Sequence, residues 1–274
     1  MKAQKMILLP LDGSDSSLKG ILPARSLAIL FNAHVHIIHI SEETLSNKDL
    51  LNKLGISTQE IPEFVITHER GNPAEIILEE GKSASCIIIC NNKTEFINPV
   101  TLKVLENSNV PVLLFNPNTI IALDGGAWIP NKILIPLDGT QDSAQAFDAS
   151  LDIIRHPKAD IDVIHILKLD NENDEDSIKA PYYADHSYQE WSLWSKEFLK
   201  RFFPYNSTDM NVKLHVATHN PAEEILEFAK KNKNDLVVLA WKGNLSSGHG
   251  EVLKKIIREI SCPILLNKII SKKQ

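Results

Sequence analysis

The chain has 274 residues, 43% of them hydrophobic and 23% charged, with 35 acidic against 29 basic side chains and a formal net charge of -6. That composition is rich enough for packed cores and excludes a disordered or collagen-like chain, and the acidic balance argues against nucleic-acid binding. No apolar run approaches the ~18 residues of a membrane helix, the first residues lack the pattern of a signal peptide, and three cysteines cannot close a disulfide framework, so a cytoplasmic protein is expected.

The elements repeat along the chain. Met6–Leu11 is a continuous apolar run, as in a strand buried on both faces, and Asp12, Gly13 and Ser14 turn the chain. Leu18, Ile21, Leu22, Leu27 and Leu30 then predict a helix, with Pro23 inside it. Val35–Ile40 is a second strand and Phe64–Thr67 a third. Asn72, Pro73 and Glu75 are an N-cap, a first-turn proline and a capping-box acid for the next helix. Cys86–Cys90 is the fourth strand, and a helix leads to Val112–Phe115, the fifth. Pro117, Gly125, Gly126 and Pro130 mark a linker, with Ile120–Leu123 expected to pack on a domain.

The series then starts again. Ile7–Ser14 (ILLPLDGS) recurs as Ile133–Thr140 (ILIPLDGT), and His39-Ile40 as His165-Ile166, both at an offset of 126. Asn72–Glu75 recurs as Asn220–Glu223 at 148, and Val110–Leu114 as Cys262–Leu266 at 152, so the second copy carries an insertion of about 22 residues after Ile166. Its elements are Ile133–Leu137, a helix on Ala144, Phe147, Leu151 and Ile154, then Ile161–Leu167, Leu214–Thr218, Leu236–Ala240 and Ile264–Leu266. The insertion, about 168–205, holds an acidic stretch from Asp170 to Asp176. Trp191, Trp194, Phe198 and Phe202 follow at helical spacing, a stripe for packing on the domain or for a partner surface. Five strand–helix steps with apolar strands predict a doubly wound parallel sheet in each copy. The expected domains are 1–118, a linker 119–131, and 132–274.

The paired Pro-Leu-Asp-Gly-Ser/Thr turns, Asn-Pro-Ala-Glu helix starts and Pro-Val/Ile-Leu-Leu final strands, in the same order twice, resemble the universal stress protein family. The resemblance covers nearly the whole chain. It implies two tandem Rossmann-like α/β domains packed as a pseudo-dimer, a homodimer as one assembly, and a binding and regulatory role under stress without catalysis. Some family members bind ATP, through Gly-x2-Gly-x9-Gly-Ser/Thr after the fourth strand, where glycines let amides approach phosphates at a helix N-terminus.

In the second copy the matching residues are Ala240 for the first glycine, Gly243, Gly250 and Glu251. The resemblance adds Pro136, Asp138, Gly139 and Thr140 of the turn and Ile166 of the second strand as nucleotide contacts. The ligand implied is ATP or another adenine nucleotide, with Mg²⁺. Two departures stand out. Six residues separate Gly243 from Gly250, three fewer than the pattern. Glu251 also stands where a hydroxyl is expected, and a carboxylate ~4 Å from a phosphate charge repels it by roughly 4 kcal/mol at an effective dielectric of about 20. A helix end returns only about 0.3–1 kcal/mol. Without Mg²⁺ or Lys242 as a bridge, repulsion wins; otherwise Glu251 is a first-turn acid of its own helix.

The first copy has no glycine between Cys90 and Pro99, and Asn98-Pro99 fills the Gly-Ser slot, so no phosphate site of the family type is expected there. Asp12 and Asp138 are either turn-capping residues or nucleotide neighbours, and His39 and His165 are packed strand histidines. Cys86 and Cys90 share a strand face as buried apolar residues, and no metal set is apparent. Leu137–Thr140 is similar to the end of the aspartate phosphatase motif, but Pro136 replaces its nucleophile. The chain therefore reads as a non-catalytic nucleotide-responsive protein, or as a nucleotide-free scaffold working through protein contacts.

Overall fold

The computed structural model describes residues 5–43, 45–56, 64–91, 97–116, 119–121, 123, 126–154, 159–167, 188–203, 211–245 and 250–269. Ten strands form one mixed sheet in the order β3-β2-β1-β4-β5-β10-β9-β6-β7-β8. In the first half these are β1 (Lys5–Pro10), β2 (Ala33–Ile40), β3 (Phe64–Glu69), β4 (Cys86–Cys90) and β5 (Val112–Phe115). In the second they are β6 (Lys132–Leu137), β7 (Asp160–Ile166), β8 (Asn211–Ala217), β9 (Leu236–Trp241) and β10 (Ile264–Lys268). All pairs are parallel except β5–β10, the seam, where Leu114, Leu113 and Val112 meet Ile264, Leu265 and Leu266. All six residues are at most 2% exposed. Burying each aliphatic side chain is worth about 1.5–3 kcal/mol, so the seam is core rather than a wet contact.

The strands are buried because both faces are covered. One apolar layer joins Ile7, Leu9 and Phe115 to Ile133, Ile135 and Phe147; the other joins Leu8, Ile87 and Leu114 to Leu134, Val237 and Leu266. Consecutive strand residues alternate between the layers, which is the two-residue period of a pleated strand.

The helices follow the sequence with two interruptions. The helix expected through Pro23 is two pieces, α1 (Asp15–Leu18) and α2 (Ile21–Phe31), parted at Lys19-Gly20, so Pro23 falls in the first turn of α2 where a missing N–H is harmless. The matching stretch of the second half is α6 (Gln141–Ala146), a 3-10 turn (Phe147–Ser150) and α7 (Leu151–Ile154). The others are α3 (Asn47–Leu54), α4 (Pro73–Gly81), α5 (Pro99–Asn107), α8 (Tyr188–Phe202), α9 (Pro221–Asn232) and α10 (Glu251–Glu259). Asn72 and Asn220 cap α4 and α9, each side chain accepting two backbone N–H bonds.

The acidic stretch of the insertion lies outside the described residues, as do the side chains of Trp191 and Phe202. In α8, Phe198 and Leu199 are buried, and Trp194 and His165 both lie against the Phe198 ring. This part of the aromatic stripe packs on its own half. Of the apolar linker run expected to pack, Ile121 lies against the core while Ile120 is 70% and Leu123 53% exposed, and Trp128 adds a further anchor, buried edge-on against Phe115 with its backbone N–H donated to Ser26 Oγ at 2.9 Å.

Candidate functional site

The strand order sets where a crevice forms. In the second half the chain leaves β6 toward β7 on one side, while β9 flanks the other, so β6–β9 is the topological switch point. β6 pairs with β7 as far as Leu137↔His165, but with β9 only at Ile133↔Leu236 and Leu134↔Val237. The two strands part at their carboxyl ends, where Pro136 has no N–H to continue a ladder. Every site residue read from the sequence is at this end: Pro136, Asp138, Gly139 and Thr140 after β6, Ile166 closing β7, Ala240 in β9, and Gly243, Gly250 and Glu251 in the loop and helix that follow.

The Asp138 carboxylate accepts the N–H of Thr140 at 2.9 Å and its hydroxyl at 2.8 Å, while Thr140 Oγ1 accepts Ser143 N–H at 3.2 Å and caps α6. Asp12 and Ser14 build the same turn in the first half. A structural duty is therefore assigned to both aspartates. His165 Nδ1 lies 2.8 Å from the Leu137 carbonyl and His39 Nδ1 2.7 Å from that of Leu11, so each ring donates to the turn behind it. Burial lowers the His165 pKa, against the opposing pull of the Leu137 hydrogen bond and the Asp138 charge.

The two helices that begin beyond the fourth strands differ. Asn98 caps α5, accepting Val100 N–H at 2.9 Å, and its own N–H goes to the buried Asn91 side chain at 3.0 Å. Pro99 removes a further donor. At α10 the cap position is Gly250, in the left-handed region at φ +67, and among the described residues no side chain caps the helix end. A Cβ there would lie 2.9 Å from the Asn244 carbonyl and 2.6 Å from Leu245 Cδ2, which explains the glycine. Gly250 has no side chain to take up the first-turn amide donors of α10, whereas Asn98 takes up one of those of α5.

Glu251 is exposed and its partner is Lys254, at 2.8 Å one turn along, rather than the Lys242 considered from the sequence. An exposed pair of this kind is weak, yet it offsets part of the negative charge at the helix start. Residues 246–249 of the loop lie outside the described residues.

Sequence reasoning missed one clamp across the halves. Glu106, in the last turn of α5, accepts Leu245 N–H on its carboxylate at 2.9 Å, and its backbone carbonyl accepts Lys268 Nζ at 2.6 Å. The Lys268 stem runs beside Gly243, where a Cβ would meet its Cε at 2.6 Å. Nothing in the local pattern of either copy marks a contact 139 residues apart. Burial pushes the thiols of Cys86, Cys90 and Cys262 up to about 12, so none is a nucleophile at neutral pH. Among the described residues no three His, Cys, Asp or Glu side chains form a metal set, and no helix is long and apolar enough to cross a membrane.

Known proteins share this arrangement. A universal stress protein of Methanocaldococcus jannaschii is 28% identical over 163 residues, covering 55% of this chain and 88% of its own length. The crystal structure of a universal stress protein from Archaeoglobus fulgidus covers 98% of this chain and 100% of that chain with a TM-score of 0.69 at 14% identity. A functionally unknown protein from Pseudomonas aeruginosa PAO1 covers 97% of this chain and 93% of its own, with a TM-score of 0.61 at 18% identity. At those identities the two structures speak for the fold alone. The sequence model of the Universal stress protein family matches residues 130–268, half of the chain and nearly all of its second half, and the chain belongs to that family.

Proposed function

We propose that the chain is a stress-response protein that acts by binding, and that the β6–β9 crevice of its second half takes an adenine nucleotide with its phosphates toward the start of α10. The observation that carries this reading is the first turn of α10 at Gly250, uncapped among the described residues, set against the α5 end closed by Asn98 and Pro99. A helix start with unused amides attracts anions. Thr140 and the Asp138 turn lie at the other side of the same switch point, and Ile166 ends the neighbouring strand. Lys254 lessens the repulsion from Glu251, and Mg²⁺ held between phosphate and Glu251 would lessen it further. The raised thiol pKa values support binding over covalent chemistry.

Titration calorimetry of the whole chain with ATP, with and without Mg²⁺, tests this. The expected result is one site per chain, tighter with Mg²⁺. Glu251→Ser should tighten ATP binding about fivefold, because it removes the carboxylate and supplies a hydroxyl. No heat at millimolar ATP from either protein would defeat the reading.

A second reading has its own support. The Glu106 carboxylate already occupies one loop amide, and Gly250 packs on its own loop, as in a nucleotide-free scaffold. That reading predicts no heat and no melting shift with ATP in wild type or in Glu251→Ser.

A further inference from the structure

One residue of the first half holds two anion-binding groups of the second. Glu106, partly buried in the last turn of α5, accepts Leu245 N–H on its carboxylate at 2.9 Å and Lys268 Nζ on its backbone carbonyl at 2.6 Å. Both donors lie against the candidate site. Lys268 ends β10 level with Trp241 of β9, and its stem passes Gly243, where a Cβ would stand 2.6 Å from Lys268 Cε. Leu245 lies against the other loop glycine, since a Cβ on Gly250 would be 2.6 Å from Leu245 Cδ2. The amide and the ammonium group therefore flank the loop that leads to α10.

The halves make the same crossing with different chemistry. At the offset of 152 that relates β5 to β10, Asn116 corresponds to Lys268. Asn116 donates its side-chain amide to the Ile257 carbonyl in the last turn of α10 at 2.6 Å, just as Lys268 donates to the Glu106 carbonyl in the last turn of α5. Each strand end is thus fastened to a helix end of the other half. A neutral amide meets that need in the first half, so the fastening does not require a charge. The second half puts an ammonium group there, beside Gly243, and an ammonium group is a compact partner for phosphate. The carboxylate is one-sided too: the offset maps Glu106 onto Arg258, a cation paired with Glu259 at 3.4 Å. A carboxylate on a backbone N–H makes the same charge-assisted bond that a phosphate oxygen makes.

We propose that the Leu245 N–H and the Lys268 ammonium group form a phosphate subsite at the rim of the crevice, and that Glu106 shuts it from the other half, its carboxylate standing in for a phosphate oxygen. This role presupposes the nucleotide reading of the β6–β9 crevice. The ligand's phosphate displaces the carboxylate from Leu245 and draws Lys268 off the end of α5, so the first half sets the affinity of the second.

Titration calorimetry of the full chain with ATP and with adenosine tests the proposal. Glu106→Ala removes the carboxylate and keeps the carbonyl that holds Lys268, and it should tighten ATP binding about fivefold while leaving adenosine, which has no phosphate, within about twofold. Glu106→Gln, which keeps the shape and loses the charge, should shift ATP in the same direction. Lys268→Met keeps the stem beside Gly243 and should cancel the gain of Glu106→Ala. Lysine acetylation read by mass spectrometry covers the event that this double variant fails to fold: ATP should protect Lys268 of Glu106→Ala about threefold, with Lys53 of the first half unprotected. ATP bound no more tightly by Glu106→Ala than by wild type, an equal gain for adenosine, a gain that survives Lys268→Met, or an unprotected Lys268 would each overturn the subsite and leave the nucleotide reading standing. No heat with ATP from wild type or either Glu106 variant would defeat both.

Discussion

Gly139 sits at φ +81 with His165 Cε1 3.1 Å from where a Cβ would be, whereas Gly13, at φ +83 in the matching turn, has only Leu54 Cδ2 at 3.6 Å. Gly139→Ala should cost about 1–3 kcal/mol from the backbone, plus a contribution from the His165 contact, and Gly13→Ala the backbone part alone. Urea unfolding of the pair should show the Gly139 variant less stable, and equal midpoints would refute the close approach. The histidines give a pH signature. Burial lowers the pKa of His165, against Leu137 and Asp138, and that of His36, against the Glu80 charge, so the unfolded chain binds more protons than the folded one. Stability should therefore be full above the ordinary histidine value of about 6.5 and fall as pH drops from there toward the lowered folded values. A midpoint that rises between pH 7.5 and 5.5 would contradict this sign. At this scale the turn aspartates and the asparagine caps were legible, because each bonds within three residues of itself. The Glu106 clamp was not, because its partners Leu245 and Lys268 come from the other half.

Among the elements, the linker shows where local reading stops. The apolar run Ile120–Leu123 drew attention away from Trp128: Ile121 of that run packs on the core, but Trp128 is the fully buried residue. One buried aromatic in an irregular segment has no period to read. Trp128→Ala should cost about 3–5 kcal/mol in urea unfolding, the range for emptying a large core site. A loss below about 1 kcal/mol would show that the linker is not anchored there. Strands were legible as apolar runs because both of their faces are covered, and their limits shifted by one to three residues where a ladder continues into polar sequence, as at Asn211 in β8. The break between α1 and α2 was signalled by Pro23, yet it falls at Lys19-Gly20 because proline is tolerated in a first turn and not farther in.

For the whole molecule, the doubled sequence announced two copies of one strand order, and the ten-stranded sheet contains both. The antiparallel seam was not derivable from either copy, since β5 and β10 each read only as a short apolar strand; the family resemblance implied only that the halves pack as a pseudo-dimer. The copies match as sheets and diverge as sites: α5 starts at a side-chain cap, and α10 starts at a glycine with no side-chain cap among the described residues. That difference is the account's central claim. The most direct measurement is an amide NMR titration of the full chain with ATP and Mg²⁺. The account predicts shifts at Gly139, Thr140, Gly243, Gly250 and the first turn of α10, with Gly13, Ser14 and the start of α5 unmoved. Shifts at those first-half positions, or none in the second half, would contradict it.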